Sequence, residues 1–206
     1  MNKKVALFIS IPKCASKSIQ KTLELGIGRD NELHATKEEH VISENHQRLK
    51  VLEIKYNINE LFSFCFVRNP YDRIVSWYKY YKSHPAYNKI TLNEWVALGC
   101  PIHWVSQNKT NWKKENLNPL LQFNFIDSNR GNTIDFIGRM ENYDEDIEKL
   151  RKILNDLFKE KGYDKFIPFT KVHINKTYKG EELTVESKDI IYNLFKKDFE
   201  YFGYEK

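Results

Sequence analysis

Two short apolar runs constrain this chain more than anything else in it. Val5 to Ile11 and Leu61 to Val67 are brief, rich in β-branched and aromatic residues, and each cut off by a polar, proline-containing segment: Pro12-Lys13 after the first, Arg68-Asn69-Pro70 after the second. Runs of that length and make-up read as strands buried on both faces, not as helices. A helical pattern follows each break. Ser16 to Leu25 carries Ile19, Thr22 and Leu23 and stops at Gly26 and Gly28. Tyr71 to Tyr81 sets Ile74, Val75, Trp77, Tyr78 and Tyr81 at helical spacing, and Pro70 suits a first helical turn. Strand, loop, helix, repeated, predicts an α/β fold: a central, mainly parallel sheet flanked by helices in three layers.

The remaining segments add detail. Residues 29 to 60 are polar and mixed, and predict loop with one or two short helices. Thr91-Leu92-Asn93-Glu94 has the pattern of a capping box, opening a short helix to Leu98 with Gly99 as its stop. Leu120 to Ile126 and Thr133 to Ile137 read as further strands. Tyr143 to Lys161 is an amphipathic helix ended by Gly162. A last helix runs from about Thr184 to Tyr201, after a loop holding Lys171 to Glu182. Nothing reads as a repeat, linker or low-complexity stretch, so residues 1–206 are expected to form a single domain.

Composition excludes several classes. With 13 Phe, 12 Tyr and 4 Trp in 206 residues, the chain can bury a core, which rules out disorder for most of it. Thirty-three Lys+Arg against 28 Asp+Glu leave a net charge of +5. That mild excess suits an anionic small ligand better than a nucleic acid, which needs a denser basic stripe. The 3 cysteines, Cys14, Cys65 and Cys100, fit neither a disulfide framework nor a zinc site, and point to reduced thiols in a cytoplasm-like compartment. No apolar run reaches the ~20 residues of a membrane span. The start MNKKVALFISIPK has no small-residue cleavage site and is not read as a signal peptide.

Both loops are built for anions. In Ile11-Pro12-Lys13-Cys14-Ala15-Ser16-Lys17-Ser18-Ile19, small residues let backbone approach a ligand at a helix N-terminus, and Lys13 and Lys17 add charge. The alternative is an ordinary strand-to-helix turn with exposed lysines, since the pattern G-x-x-x-x-G-K-[ST] is absent. In Phe64-Cys65-Phe66-Val67-Arg68-Asn69-Pro70-Tyr71-Asp72-Arg73-Ile74-Val75-Ser76, Arg68 stands where a buried strand ends, and Ser76 lies 8 residues on, in the next helix. A guanidinium and a hydroxyl so placed can converge on one phosphate. The alternative is that Arg68 caps something and that Asp72 and Arg73 form a surface pair.

Taken together, IPKCASKSI and FCFVRNPYDRIVSWY resemble the two phosphate segments of sulfotransferases that use 3′-phosphoadenosine-5′-phosphosulfate (PAPS), in particular the carbohydrate-type branch. Leu33-His34-Ala35-Thr36-Lys37-Glu38 is similar to that family's H-A-T segment, Ile134 to Leu150 to its D-F-I-G-R-x-E-N segment, and Ile174-Asn175-Lys176-Thr177 with the C-terminal DFEYFGY to its closing pattern. Residues 82 to 118 lie outside the likeness. One departure stands in the first loop, where Lys17 replaces the usual hydroxyl residue and Ser18 stays in register.

The resemblance implies a P-loop-like domain that moves a sulfuryl group from PAPS to an acceptor hydroxyl, of a carbohydrate or another small molecule, with no metal and no nucleic-acid partner. It implies that Lys13, Cys14, Ala15, Ser16, Lys17 and Ser18 hold the 5′-phosphosulfate. Arg68 and Ser76 would hold the 3′-phosphate, and Lys176 and Thr177 would close over the cofactor. Lys13 is the candidate for stabilising charge on the bridging oxygen. His34 is the candidate general base, with Glu24 or Glu38 as the fallback. His40 and His46 are read as surface or packed imidazoles, and Arg139 with Glu141 either as organising the cofactor pocket or as a structural pair. Trp104, Trp112 and His103 suit sugar stacking and core anchoring equally. Two rival readings remain: a nucleotide kinase, which would need a metal site, and a non-catalytic nucleotide- or polyanion-binding module.

Overall fold

The first apolar run folds as strand β1 (Ala6–Ile9), buried along its whole length. It is an inner strand, paired with a neighbouring strand on each side. The computed structural model describes residues 5–23, 41–44, 46–82, 85, 88–101, 120–163 and 180–206. Among these, strands β2 (Val41–Glu44), β3 (Phe62–Val67) and β4 (Phe136–Arg139) join β1 in one sheet ordered β2-β1-β3-β4. All three pairings are parallel, with Ile9 opposite both Glu44 and Cys65, and Val67 opposite Arg139. The protein is therefore an α/β fold around a parallel sheet, as the paired strand–loop–helix pattern predicts.

The chain divides into two compact units, Met1–Val67 with Phe125–Asn175, and Arg68–Asn124 with Lys176–Lys206. The first holds the sheet together with helices α1 (Ser16–Thr22) and α2 (Leu49–Lys55). Phe8 stacks on Phe64 across β1 and β3, ring centroids 5.1 Å apart. The Phe66 ring lies close against its register partner Gly138, where a Cβ would come within 2.5 Å of the ring. This is a close approach that only glycine permits. The long helix of this unit (Tyr143–Glu160) buries Tyr143, Ile147, Leu150, Leu154 and Phe158, the stripe expected of one face at 3.6 residues per turn. Tyr143 meets Phe66 at 5.8 Å and shares a 3.3 Å hydrogen bond with Thr22 of α1.

The second unit is helical among the described residues. Helix α3 (Pro70–Tyr81) starts with Pro70 at its first turn and is capped by Asn69, whose Oδ1 accepts the Tyr71 N–H at 2.9 Å. Helix α4 (Leu92–Ala97) opens on the expected capping box: the Thr91 hydroxyl takes the Glu94 N–H, and the Glu94 carboxylate takes the Thr91 N–H. Ile74, Trp77, Tyr78 and Tyr81 pack with Leu92, Trp95, Ile191, Phe195 and Phe199 in one apolar core.

Four expectations are corrected. Val41–Glu44 is a strand, though its residues are too mixed to announce one; pairing with β1 supplies what propensity does not. Leu120 to Ile126 is not a strand but a turn and short helix, α5 (Phe123–Ile126), because the N–H groups of Gln122 and Phe123 bond the Asp198 carboxylate instead of a ladder. Strand β4 begins at Phe136 rather than Thr133: Ser63 bonds the Thr133 carbonyl and the Asp135 carboxylate through its side chain before regular pairing starts. The last helix is two, Val185–Leu194 and Lys196–Phe202, broken at Phe195, whose ring is buried.

Candidate functional site

Strand order decides where a ligand belongs. From β1 the chain goes on to β2 on one side, and from β3 to β4 on the other. The carboxyl ends of β1 and β3 are thus neighbours at the point where the winding reverses, the usual binding edge of an open parallel sheet. The Pro12–Ser18 loop leaves the first of these ends, and Arg68 is the residue that follows Val67 at the second.

The first loop is tightly wound. Lys13 and Ala15 both take left-handed backbone angles, with φ of 65° and 55°. For non-glycine residues this costs roughly 1–2 kcal/mol each. The Ile11 carbonyl anchors the loop, accepting from the Cys14 N–H at 3.3 Å and from the Ser16 hydroxyl at 3.1 Å. The Cys14 side chain is buried, with its Sγ 3.7 Å from the Pro12 carbonyl, so a ligand here meets its backbone and not its thiol. Helix α1 opens on Ala15 without a side-chain cap and without an acidic residue in its first turn. It carries instead Lys17, which is exposed, while Ser18 is buried and Lys13 and Ser16 are half-buried. A lysine at a helix N-terminus opposes the helix dipole, a placement that an anion would reverse.

In the second segment Arg68 is half-buried and its backbone is clasped by one carboxamide. Its N–H donates to Gln122 Oε1 at 2.9 Å, and Gln122 Nε2 donates back to its carbonyl at 2.9 Å. Ser76 lies half-buried in α3. The surface pair considered for Asp72 and Arg73 is overturned. Asp72 is exposed, but Arg73 is 1% exposed and donates to the Leu120 carbonyl. Beside it Asp198 is wholly buried and accepts the N–H groups of Gln122 at 2.8 Å and Phe123 at 2.9 Å. Burial pushes the Asp198 carboxyl up, against the Arg73 charge and these two bonds. Gln122 and Asp198 went unnoticed in the sequence, where one lies in an apparent strand and the other in an apparent helix.

His46, read from the sequence as a surface or packed imidazole, falls among the described residues. It is exposed, just beyond the end of β2, and its Nδ1 lies 2.8 Å from the Ser10 carbonyl at the end of β1. A carbonyl only accepts, so Nδ1 holds the proton and the basic lone pair of the neutral ring belongs to Nε2. The Ser10 hydroxyl is 3.3 Å from the same nitrogen. Arg139 ends β4, its N–H bonded to Asp146 at 2.8 Å, and Glu141 is exposed beyond it. Cys14, Cys65 and Cys100 are buried thiols that form no disulfide. Burial, with Cys14 nearby, pushes the Cys65 thiol up, and burial pushes Cys100 up to about 12, so neither supplies a thiolate near neutrality. His34, Glu24, Glu38, His40, His103, Trp104, Trp112, Lys176 and Thr177 lie outside the described residues. Among the described residues no helix is long and apolar enough to cross a membrane.

Comparison with known proteins gives three results. A family model described as the sulfotransferase family matches residues 2–205. An uncharacterised protein of Archaeoglobus fulgidus is 35% identical over 95 residues, which cover 43% of this chain and 63% of that protein. Mouse sulfotransferase SULT7A1, crystallised in complex with PAP, aligns at 15% identity and a TM-score of 0.42, over 97% of this chain and 66% of its own.

Proposed function

The chain belongs to the sulfotransferase family, and from that premise we propose that it transfers a sulfuryl group from PAPS to an acceptor hydroxyl of a carbohydrate. The observation that carries this reading is the parallel pairing of β1 with β3, Ile9 opposite Cys65, which sets side by side the strand ends that lead into the two anion-binding segments. Each segment takes one end of the cofactor. Lys17, Ser18 and the backbone of Cys14, Ala15 and Ser16 hold the 5′-phosphate; Arg68 and Ser76 hold the 3′-phosphate, and the resemblance adds Lys176 and Thr177 as cofactor contacts.

The reaction is an in-line displacement. The acceptor oxygen forms a bond to sulfur, the bond from sulfur to the bridging oxygen breaks, and adenosine 3′,5′-bisphosphate (PAP) leaves. Lys13, which enters the loop beside the helix N-terminus, neutralises charge that grows on the bridging oxygen. The sulfuryl group carries less charge than a phosphoryl group, so lysine and backbone donors suffice without a metal clamp. A histidine takes the acceptor proton. His34 has this role by its resemblance to the H-A-T segment. A carboxylate, Glu24 or Glu38, is the alternative base.

Incubation with sulfur-labelled PAPS and a glycan panel, in the presence of EDTA, tests the proposal. Label is expected on a glycan. Lys13→Ala should reduce turnover by about a hundredfold or more, with PAP affinity falling less. Loss of turnover with PAP affinity kept, in His34→Ala or in the Glu24→Gln or Glu38→Gln variant, identifies the base. PAP binding with no transfer to any hydroxyl acceptor would leave a binding module, and stabilisation by ATP with magnesium alone would make the chain a kinase.

A further inference from the structure

We propose that Asp198 and Gln122 are positioning residues for Arg68, setting the backbone from which its guanidinium reaches the cofactor's 3′-phosphate; this rests on the assignment of Arg68 above. The sheet ladder ends at Val67. Arg68 comes next, and its N–H and C=O need partners that the ladder no longer provides. Gln122 supplies both from one planar carboxamide, at 2.9 Å and 2.9 Å, and so acts as a one-residue extension of the strand. A carboxamide on a loose turn would not hold that pose. Its own backbone is pinned by Asp198, which takes two consecutive N–H groups at 2.8 and 2.9 Å.

Gln122 and Asp198 are each 0% exposed. A buried carboxylate is costly, and apolar packing serves stability at least as well. What the carboxylate adds is direction: it fixes residues 122–123, these fix the carboxamide, and the carboxamide fixes Arg68. Arg73 braces the same turn through the Leu120 carbonyl. A cation whose backbone is preset loses less freedom on meeting a phosphate.

The test compares PAP with adenosine 5′-monophosphate, which lacks the 3′-phosphate, by calorimetric titration of the full chain. Gln122→Met removes both bonds to Arg68; Gln122→Glu keeps the acceptor for its N–H and loses the donor to its carbonyl. Asp198→Asn keeps the shape and turns one acceptor into a donor. Each is expected to weaken PAP about tenfold while leaving the monophosphate unchanged, and to add nothing in an Arg68→Ala background. Equal weakening of both nucleotides, or unchanged PAP affinity in a cooperatively melting variant, overturns the positioning role while Arg68→Ala still confirms the cofactor assignment. If wild type does not bind PAP, or Arg68→Ala binds it equally well, the assignment fails and this proposal with it. Should no variant fold, hydrogen exchange on wild type decides. The Arg68 amide should exchange as slowly as those of β3 and be slowed further by PAP but not by the monophosphate; exchange at the rate of an open loop refutes the clasp.

Discussion

Replacing Arg73 tests whether the RNPYDR segment is a surface feature or a buried frame. Arg73→Met keeps a long apolar stem in a site that is 1% exposed. It removes a charge-assisted hydrogen bond to the Leu120 carbonyl, worth about 1.5–3 kcal/mol, and leaves that acceptor without this donor. It also takes a positive charge from the surroundings of Asp198, which is 0% exposed. Breaking a buried charge arrangement in this way costs about 3–5 kcal/mol. In a chain of 206 residues that corresponds to a fall in Tm of roughly 6–20 °C. Urea unfolding followed by tryptophan fluorescence, with Asp72→Ala beside it as the exposed neighbour, provides the comparison. Asp72→Ala should stay within about 0.5 kcal/mol of wild type. Equal, small effects of the two substitutions would refute the buried frame and restore the surface pair.

Two other predictions concern the unit that carries the sheet. Burial pushes Glu53 up, but bonds from Ser128, Asn132 and Asn129 and the Arg130 charge outweigh it and hold the carboxyl below its usual range. Its stabilisation is therefore present above the unfolded carboxylate pKa of about 4.3 and lost as pH falls through the lower folded value. Glu53→Gln should cost about 1–3 kcal/mol at pH 7 and progressively less in acid; a pH-independent difference in urea midpoint would contradict this. Gly138→Ala puts a methyl group 2.5 Å from the Phe66 ring and should cost about 1–3 kcal/mol, partly recovered by Phe66→Leu; a neutral result would mean that the ring moves freely.

How much of this could be read in the sequence follows from where the causes lie. Local causes were legible. The apolar runs that became β1 and β3, the proline start of α3, the Thr91–Glu94 box and the Tyr143–Glu160 stripe each depend on neighbours within one or two turns. Distant causes were not. Strand β2 exists through its pairing with β1, and Leu120–Ile126 bends because a carboxylate some 75 residues away captures its N–H groups. The same division holds at the candidate site. Lys13, Ser18, Arg68 and Ser76 stand in motifs a reader can see. Gln122 and Asp198 bear on Arg68 only through the folded chain, as His46 bears on Ser10.

The most direct test of the account is the stoichiometry of PAP binding in EDTA, measured by calorimetry on wild type, Ser18→Ala and Arg68→Ala. One molecule per chain should bind, competitively with PAPS. Changes in either segment should weaken that one event, Arg68→Ala by about 1.5–3 kcal/mol. Two independent events, or a single event indifferent to Arg68, would contradict the assignment of both segments to one cofactor.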